Sequence, residues 1–476
     1  MGRRSITRLV AAGAVAGLVA LLGACGSSGD SAGTSAATSA PQTSAAADTS
    51  AAGSSATSAP ASDDTSAAAG SETAGPTDSG EPVTLTWWHN GTGEPLKGFW
   101  AKVAKDFEAA HPNVTIKVTA VQNEELQKTK IPNALRSDSP PDLFQQWGGG
   151  ELAAQVDAGK VMDLSDQVAD ILPALGGSVA GWQVDGKTYG IPFSLGIEGF
   201  WYNKALFKQA GITATPTTLP ELTDAVTKLK AANIAPIAVG AKDKWPAAHY
   251  WYNFALRDCD SAVLQQAGID LKFEDACFTK AGDDLQAFLN TQPFQEGFLG
   301  TPAQQGATSS AGLLANGKAA MELQGHWNPG VMSGLTENGK GLGDDLGWFA
   351  FPSVPGGQGA ADSALGGGDG FSCSWKAPKE CVELLKYISS VEVQTEFAKT
   401  GAGLPVTQGA DVGVTDPNMK TLLDARNSAK YVQLWLDVAY GPNVGGALND
   451  AVANMFAGQG SSADIVQAMN DAAAQQ

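Results

Sequence analysis

The chain has 476 residues, a formal net charge of −19 at pH 7 and five cysteines. Hydrophobic residues make up 43% of the sequence, which is enough for a large folded core and excludes a wholly disordered chain. The acidic balance argues against nucleic acid as a partner, because phosphate binding needs clustered Lys and Arg. Five cysteines are too few for a scaffold built mainly on disulfides.

The N-terminus is typical of an export signal. Three arginines within the first eight residues precede an apolar run over residues 9–22. This run is shorter than the ~20 residues that a membrane-spanning helix needs. Small residues then lead to Cys25 in an order that resembles the bacterial lipobox, whose cysteine carries lipid. Residues 1–24 are therefore predicted to be a lipoprotein signal peptide and Cys25 its lipidation site; the alternative is a chance cysteine after an ordinary signal peptide.

Residues 26–82 have the composition of a tether. They are dominated by Ser, Ala, Thr, Gly and Pro and contain no aromatic residue, Leu, Ile or Val. Such a segment cannot bury enough apolar surface to offset the entropy lost on ordering, so we predict that it is disordered. It would separate a folded body, residues 83–476, from the membrane, and all twelve tryptophans lie in that body.

The first part of the body alternates strand and helix patterns. Strands rich in β-branched and apolar residues are predicted at residues 83–88, 114–118 and 142–144. Between them lie a helix with Phe99, Val103 and Phe107 on one face and a second helix over residues 126–135. This order indicates a parallel α/β sheet.

A second α/β segment follows. Thr218 and Glu221 are spaced as a capping box at the start of a helix, and residues 234–240 are predicted to form a strand. A helix is predicted over residues 312–321 and a strand over residues 346–351. Glycine-rich loops and three C-terminal helical stretches are expected after that strand.

Four cysteines remain once Cys25 is assigned to lipid. They lie in an exported protein, where disulfides persist, and four cysteines allow three pairings. Pairing neighbours in the sequence gives Cys259–Cys277 and Cys373–Cys381. A catalytic thiol is the alternative, although no histidine lies close in sequence to either pair.

The sequence contains no strong catalytic or metal-binding motif. The body, residues 83–476, lacks the HExxH, CxxC and GxSxG patterns, and its four histidines are dispersed. Residues 312–319 (GLLANGKA) fit a phosphate-binding loop except at Ala319, where Mg²⁺ binding requires Ser or Thr. We interpret this segment as the end of a helix. The sequence is therefore expected to have no catalytic residue, no metal site and no cofactor.

The placement of tryptophan is the clearest functional signal. A tryptophan at a predicted strand end or beside Gly or Pro is expected to expose its flat ring. The tryptophans in such positions are Trp88, Trp147, Trp245 and Trp327. A pyranose packs its C–H face on an indole, while its hydroxyls need a few placed polar groups. The polar partners expected nearby are Asn90, Glu124, Gln146 and Asp369. For each tryptophan, packing in the core is the alternative.

Motifs along the whole body resemble the extracellular solute-binding proteins, family 1, of bacterial carbohydrate ABC importers. In chain order they are residues 85–89 (LTWWH), 141–144 (PDLF), 156–164 (VDAGKVMDL), 184–192 (VDGKTYGIP), 201–204 (WYNK), 316–321 (NGKAAM), 325–327 (GHW) and 401–406 (GAGLPV). The ordered set carries the resemblance more than any single motif. Within the family, binding proteins for xylobiose and related β-xylosides are most similar to residues 145–150 (QQWGGG), 242–246 (KDKWP) and 366–371 (GGGDGF).

The resemblance implies an α/β, two-lobed fold like that of periplasmic binding proteins, closing on its ligand by a hinge motion. Lobe 1 would comprise about 83–190 with part of 350–400, and lobe 2 about 203–345 with the C-terminal helices. A first crossing is expected over residues 189–202. The ligand-binding residues implied are Asn90, Glu124, Gln146, Trp147, Trp245, Trp327, Asp369, Phe371 and Trp435. Asp369 and Phe371 would lie in a glycine-rich loop that a ligand can approach closely.

The function implied is capture and delivery without catalysis. The protein is expected to be a monomer, held at the outer face of the cell membrane by its lipid anchor alone. It would bind a short oligosaccharide, best xylobiose or a related xylo-oligosaccharide, and pass it to the transmembrane permease subunits of an ABC importer. The alternatives are a lipid-anchored glycoside hydrolase, with two carboxylates about 5–10 Å apart, and an adhesin or wall-binding module.

Overall fold

The computed structural model describes residues 80–475. The predicted signal peptide, the lipidation site Cys25 and nearly all of the predicted tether lie outside these residues. No helix within the described range is both long enough and apolar enough to cross a membrane.

Twelve strands in the described part of the chain build two main sheets and one small hairpin. The strands are β1 (Val83–His89), β2 (Val114–Ala120), β3 (Leu143–Gln146), β4 (Gln183–Val184), β5 (Lys187–Thr188), β6 (Ile191–Ile197), β7 (Gly199–Asn203), β8 (Ala235–Ala238), β9 (Ala319–Gln324), β10 (Leu346–Ala350), β11 (Ser363–Cys373) and β12 (Tyr431–Leu434). The first sheet has the order β12-β11-β3-β1-β2, with β6 also paired to β11. The second sheet has the order β10-β7-β9-β8, and β4 and β5 form the hairpin.

Eighteen α-helices within the described residues pack around the sheets. They are α1 (Leu96–Ala110), α2 (Asn123–Glu125), α3 (Ile131–Arg136), α4 (Gly149–Asp157), α5 (Leu172–Leu175), α6 (Lys204–Gln209), α7 (Leu219–Ala231), α8 (Trp245–Asp258), α9 (Ser261–Asp270), α10 (Ala276–Leu289), α11 (Ser310–Ala315), α12 (Asn328–Gly334), α13 (Glu380–Ile388), α14 (Val391–Lys399), α15 (Pro417–Ser428), α16 (Leu436–Ala439), α17 (Gly441–Phe456) and α18 (Ser462–Ala473). Shorter 3₁₀ turns include Gly176–Trp182 and Ala241–Asp243.

The strand patterns with strong alternation or β-branched runs predicted the sheets well. β1, β2 and β3 run parallel, so their carboxyl ends meet at one edge of the first sheet. β8 and β10 lie where strands were predicted, at residues 234–240 and 346–351. The capping box of Thr218 and Glu221 is formed at the start of α7. These features depend on local chemistry that does not need tertiary contacts to be recognised.

Two helix predictions need correction. The helix predicted over residues 312–321 ends with α11, and the next segment is β9, whose six residues are all buried. Its sequence, AAMELQ, consists of Ala, Met, Glu, Leu and Gln, which all have high helix propensity, and burial within the second sheet overrides that propensity. The segment predicted as one helix over 126–135 begins with a π-helical turn, Leu126–Lys130, before α3 continues it.

The predicted glycine-rich loop is in fact the eleven-residue strand β11, which pairs with β3, β6 and β12. A Cβ added at Gly367 would overlap the indole of Trp435, and one at Gly370 would overlap the indole of Trp182. Glycine in a strand often marks such a close approach. Gly367 and Gly370 therefore leave room for indole rings against the strand backbone.

The chain passes from the first sheet to the second through a single residue. β6 ends at Ile197, Glu198 follows with a fully buried side chain, and β7 begins at Gly199. Beside this crossing, the ring of His326 lies against Gly196 of β6, and its Nε2 is 2.9 Å from Ser194 Oγ. Burial lowers the pKa of His326 to about 3, which keeps the ring neutral.

Both predicted disulfides are confirmed. Cys259–Cys277 joins the end of α8 to α10, with the Cα atoms 5.0 Å apart. Cys373–Cys381 joins the last residue of β11 to α13, with the Cα atoms 6.2 Å apart. All four cysteines of the described residues are thereby used, so none of them is a free catalytic thiol.

The contact between Gly196 and His326 predicts a stability defect. Gly196→Ala should lower the free energy of unfolding by about 1–3 kcal/mol, because its Cβ would overlap a buried ring that has no room to move. Urea unfolding followed by circular dichroism measures the change.

The matched control is Gly177→Ala, because a Cβ there would meet no atom within 4 Å. This variant should stay within about 0.5 kcal/mol of the wild type. Equal stability of the two variants would show that the ring is not confined by Gly196.

Candidate functional site

A cleft of about 180 Å³ lies among elements that follow the strands of both sheets. From the first sheet it is lined by the segments after β1, β2 and β3; from the second it is lined by α8 and α12.

Three indole rings form one wall of the cleft. Trp245 begins α8, while Trp327 and Trp435 precede α12 and α16 as their N-cap residues. The centroid of Trp327 lies 6.2 Å from that of Trp245 and 5.6 Å from that of Trp435, and both pairs are T-shaped. Trp147 adds a fourth ring at the end of β3. Rings set edge to face present flat apolar surfaces in different directions.

Polar side chains from the first sheet lie in the same cleft. Asp369 of β11 accepts a 2.6 Å hydrogen bond from Gln145 Nε2. Asn90, which follows β1, donates to Asn123 Oδ1 at 3.0 Å. Burial raises the pKa of Asp369 to about 6, and hydrogen bonds from Gln145 and Asn90 offset the burial only in part. The carboxylate is half-buried in the cleft, and its two oxygens can accept more hydrogen bonds than those from Gln145 and Asn90.

One hydrogen bond joins the two sides of the cleft. Trp245 Nε1, at the start of α8, donates to Glu124 Oε1 on α2 at 2.7 Å. α2 follows β2 of the first sheet, and α8 follows β8 of the second. The bond fixes the orientation of an indole ring at the point where the two sides meet.

His249, which was not among the predicted site residues, also lines the cleft. It lies one helical turn after Trp245 on α8, and its ring is parallel to Trp435 with the centroids 5.1 Å apart. Its Nδ1 is 2.6 Å from Glu198 Oε1. The i, i+4 spacing from Trp245 was the signal that could have identified it.

Six of the nine predicted site residues line the cleft: Asn90, Trp147, Trp245, Trp327, Asp369 and Trp435. Glu124 holds Trp245 through the hydrogen bond across the cleft. The remaining two, Gln146 and Phe371, need correction. Trp88, also singled out as an exposed ring, packs instead against the core.

Gln146 is a fully buried turn-forming residue. Its Oε1 accepts from the backbone N–H groups of Trp147 and Gly148, at 2.9 and 3.0 Å, and its Nε2 donates to Gln155. Both ends of the amide are thus used by the protein. Gln146 shapes the turn that carries Trp147 into the cleft, and the neighbouring residue Gln145 meets Asp369.

Phe371 lies in the core behind the first sheet. It is fully buried, with ring centroids 5.3 Å from Trp87 and 4.9 Å from Phe193. The error follows from predicting a loop where the chain forms β11, whose pairing directs this ring away from the cleft.

The charge of the cleft is negative or neutral. Among its lining residues in the described chain, Glu94, Asp369 and Asp437 are acidic and none is Lys or Arg. Anionic groups are usually held by Arg, Lys or backbone N–H clusters. The cleft therefore favours an uncharged ligand with apolar faces and hydroxyl groups.

A protein-family model, the bacterial extracellular solute-binding protein, matches residues 90–395. A relative in Pyrococcus horikoshii, an uncharacterised ABC transporter extracellular-binding protein, is 26% identical over 384 residues, covering 78% of this chain and 82% of the relative. The multiple sugar-binding protein of Streptococcus mutans is 25% identical, covering 62% of this chain and 69% of the relative. The sn-glycerol-3-phosphate-binding periplasmic protein of Brucella abortus is 26% identical, covering 68% and 75%.

Two solved structures are similar to this chain over nearly their whole length. A chitin oligosaccharide binding protein is 26% identical with a TM-score of 0.76, covering 83% of this chain and 99% of its own. A structure from work on xylan utilization by the thermophilic bacterium Caldanaerobius polysaccharolyticus is 27% identical with a TM-score of 0.73. It covers 82% of this chain and 99% of its own. With its two sheets, its cleft and the matched family model, the chain belongs to the bacterial extracellular solute-binding proteins and has their two-lobed α/β fold.

Proposed function

We propose that the protein is the substrate-binding component of a carbohydrate ABC transporter, capturing a short oligosaccharide in the cleft between its lobes. The observation that carries this proposal is the wall of three indole rings in the same cleft as a half-buried carboxylate. The C–H faces of sugar rings pack on indoles, and their hydroxyls need a few fixed polar groups. The indole rings here are Trp245, Trp327 and Trp435. The fixed polar groups are Asp369 and Asn90.

The charge of the cleft favours a neutral sugar over a phosphorylated one. The relative in Brucella abortus is a glycerol-3-phosphate-binding protein, so an anionic ligand is the competing choice. A phosphate in this cleft would meet Asp369, Glu94 and Asp437, with no Lys or Arg among the described lining residues. Like charges at short range disfavour such binding.

Within the carbohydrates, the proposed ligand is xylobiose or a related xylo-oligosaccharide. Residues 242–246 and 366–371 resemble xylobiose-binding proteins, and both segments contribute to the cleft through Trp245 and Asp369. The similar structure connected with xylan utilization supports the same choice. The similar chitin oligosaccharide binding protein makes chito-oligosaccharides the first competitor.

The proposed cellular role is delivery to a permease. Export and lipid attachment at Cys25 would hold a monomeric body at the outer face of the membrane, and ligand-induced closure would present it to the permease subunits. The matched relatives are solute-binding proteins rather than enzymes. A lipid-anchored glycoside hydrolase is the alternative.

A thermal-shift screen tests the ligand. Xylobiose should raise the melting temperature because it binds the native state, adding RT ln(1 + [L]/Kd), or about 2.7 kcal/mol at 100 Kd. Cellobiose, maltose, chitobiose and sn-glycerol-3-phosphate complete the panel. A shift with maltose or chitobiose instead of xylobiose would refute the choice of sugar. A shift with sn-glycerol-3-phosphate alone would refute carbohydrate binding, and release of xylose from xylobiose would favour the hydrolase.

The stacking role of Trp327 predicts a large loss of affinity on truncation. Trp327→Ala should weaken xylobiose binding by about 1–3 kcal/mol, as at other sites where a flat ring stacks on an aromatic side chain. Isothermal titration calorimetry on the folded variant measures this change.

The matched control is Trp375→Ala. Trp375 is half-buried outside the cleft, with Lys160 Nζ 4.2 Å from its ring centroid, so its truncation should leave the affinity unchanged. Equal affinities of the two variants would place Trp327 among the structural tryptophans.

The raised pKa of Asp369 predicts a pH dependence of binding. A ligand hydroxyl that donates to the ionised carboxylate favours the deprotonated form, so affinity should be constant above pH 7 and fall as the pH drops below about 6. Asp369→Asn should bind more weakly at pH 7 and show no such fall. Titrations between pH 5 and 8 test this, and a fall that persists in the variant would assign the titration to another group.

A further inference from the structure

A further polar side chain of the cleft, His249, lies among aromatic rings on the side of lobe 2. His249 lines the cleft on α8, with its ring parallel to Trp435 and 4.9 Å from that of Trp245. A histidine with a purely structural role would be expected to pack among core residues away from the cleft. His249 instead lies beside Trp245 and Trp435, which the proposed ligand would contact.

One ring nitrogen of His249 is already committed. Its Nδ1 lies 2.6 Å from Glu198 Oε1, and a carboxylate at this distance accepts the hydrogen that Nδ1 carries. The other carboxylate oxygen accepts from Asn253 Nδ2 at 2.8 Å, so the carboxylate is held from both sides. The ring is thereby fixed with Nε2 as the nitrogen left for a ligand.

The residue that fixes this ring lies at the crossing between the lobes. Glu198 is the single residue between β6 and β7, and its backbone N–H donates to Leu365 O of β11 at 2.9 Å. Its side chain is fully buried, so the hydrogen bond to His249 is shielded from water. The position of the His249 ring is therefore tied to the segment that a hinge motion would deform.

We infer that His249 is a ligand-contacting residue whose Nε2 hydrogen-bonds a sugar hydroxyl, and that Glu198 is the positioning residue that orients it. This assignment rests on the proposed function and adds a polar contact from lobe 2 to those of Asn90 and Asp369 in lobe 1. A ligand bound in this way is held by polar groups on both sides of the cleft. One of those groups, His249, is hydrogen-bonded to Glu198 at the crossing between the lobes.

The test compares the binding of xylobiose and of its monodeoxy analogues to the wild type and to His249→Asn. His249→Asn retains an amide donor for Glu198 but lacks a group at the Nε2 position, so xylobiose binding should weaken about tenfold. The wild type should bind one monodeoxy xylobiose about tenfold more weakly than xylobiose, and His249→Asn should bind the two equally. A structural role alone would weaken all the sugars by the same factor, which would overturn the assignment.

The matched control is His111→Asn. His111 lies at the end of α1, outside the cleft, where its Nδ1 is 2.9 Å from Phe107 O. Its substitution should leave every affinity unchanged. If the wild type binds maltose or chitobiose rather than xylobiose, the monodeoxy analogues of that sugar serve in the same comparison.

A measurement on the wild type keeps the inference testable if His249→Asn does not fold. The chain has four histidines, so ring-¹⁵N spectra are simple to resolve and to assign by single substitutions. Nδ1 of His249 should be protonated, and saturation with the bound sugar should shift its Nε2 signal. An unprotonated Nδ1, or an Nε2 signal that does not respond, would overturn the assignment. A wild type that binds no sugar would overturn the proposed function itself, whereas intact binding with unchanged discrimination would overturn only the role of His249.

Discussion

The cleft depends on close contacts between aromatic rings and glycine backbone. Trp435 lies against Gly367, Trp327 against Gly325, and His326 against Gly196, and at each glycine a Cβ would overlap the ring. A glycine residue leaves the volume of one side chain empty, and the ring fills it. Trp327 and Trp435 are thereby held in place by packing against glycine backbone, whereas the hydrogen bond to Glu124 orients Trp245. Two of the flat faces proposed to meet a ligand are positioned by these missing side chains.

This arrangement links the binding surface to the crossing between the lobes. Trp435 rests on β11 and stacks on His249, and His249 is bonded to Glu198 at the junction of β6 and β7. On the other side, Trp245 is bonded to Glu124 across the cleft. A change in the angle between the lobes must therefore alter the contacts of the indole wall. In the proposed function, capture of a ligand and closure of the lobes would depend on the same few side chains.

The sequence predicted those parts of the fold that rest on local chemistry. The strands from β1 to β3, the capping box of α7 and the two disulfides were recognisable from residue type and spacing. The predictions for β9 and β11 were wrong for different reasons. β9 is composed of residues with high helix propensity that packing in the second sheet holds in a strand, and β11 is rich in glycine, which in sequence is typical of loops.

The sequence by itself determined the family of the chain, its α/β class and six of the residues that line its cleft. Tryptophans beside Gly or Pro are visible in the sequence because both the ring and the residue that exposes it are encoded side by side. Tertiary structure alone decided that Phe371 enters the core, that Gln146 supports a turn, and that His249 reaches the cleft. These outcomes depend on which face of a strand or helix meets a distant segment, and Glu198 and His249, 51 residues apart, come together only when the two sheets are packed.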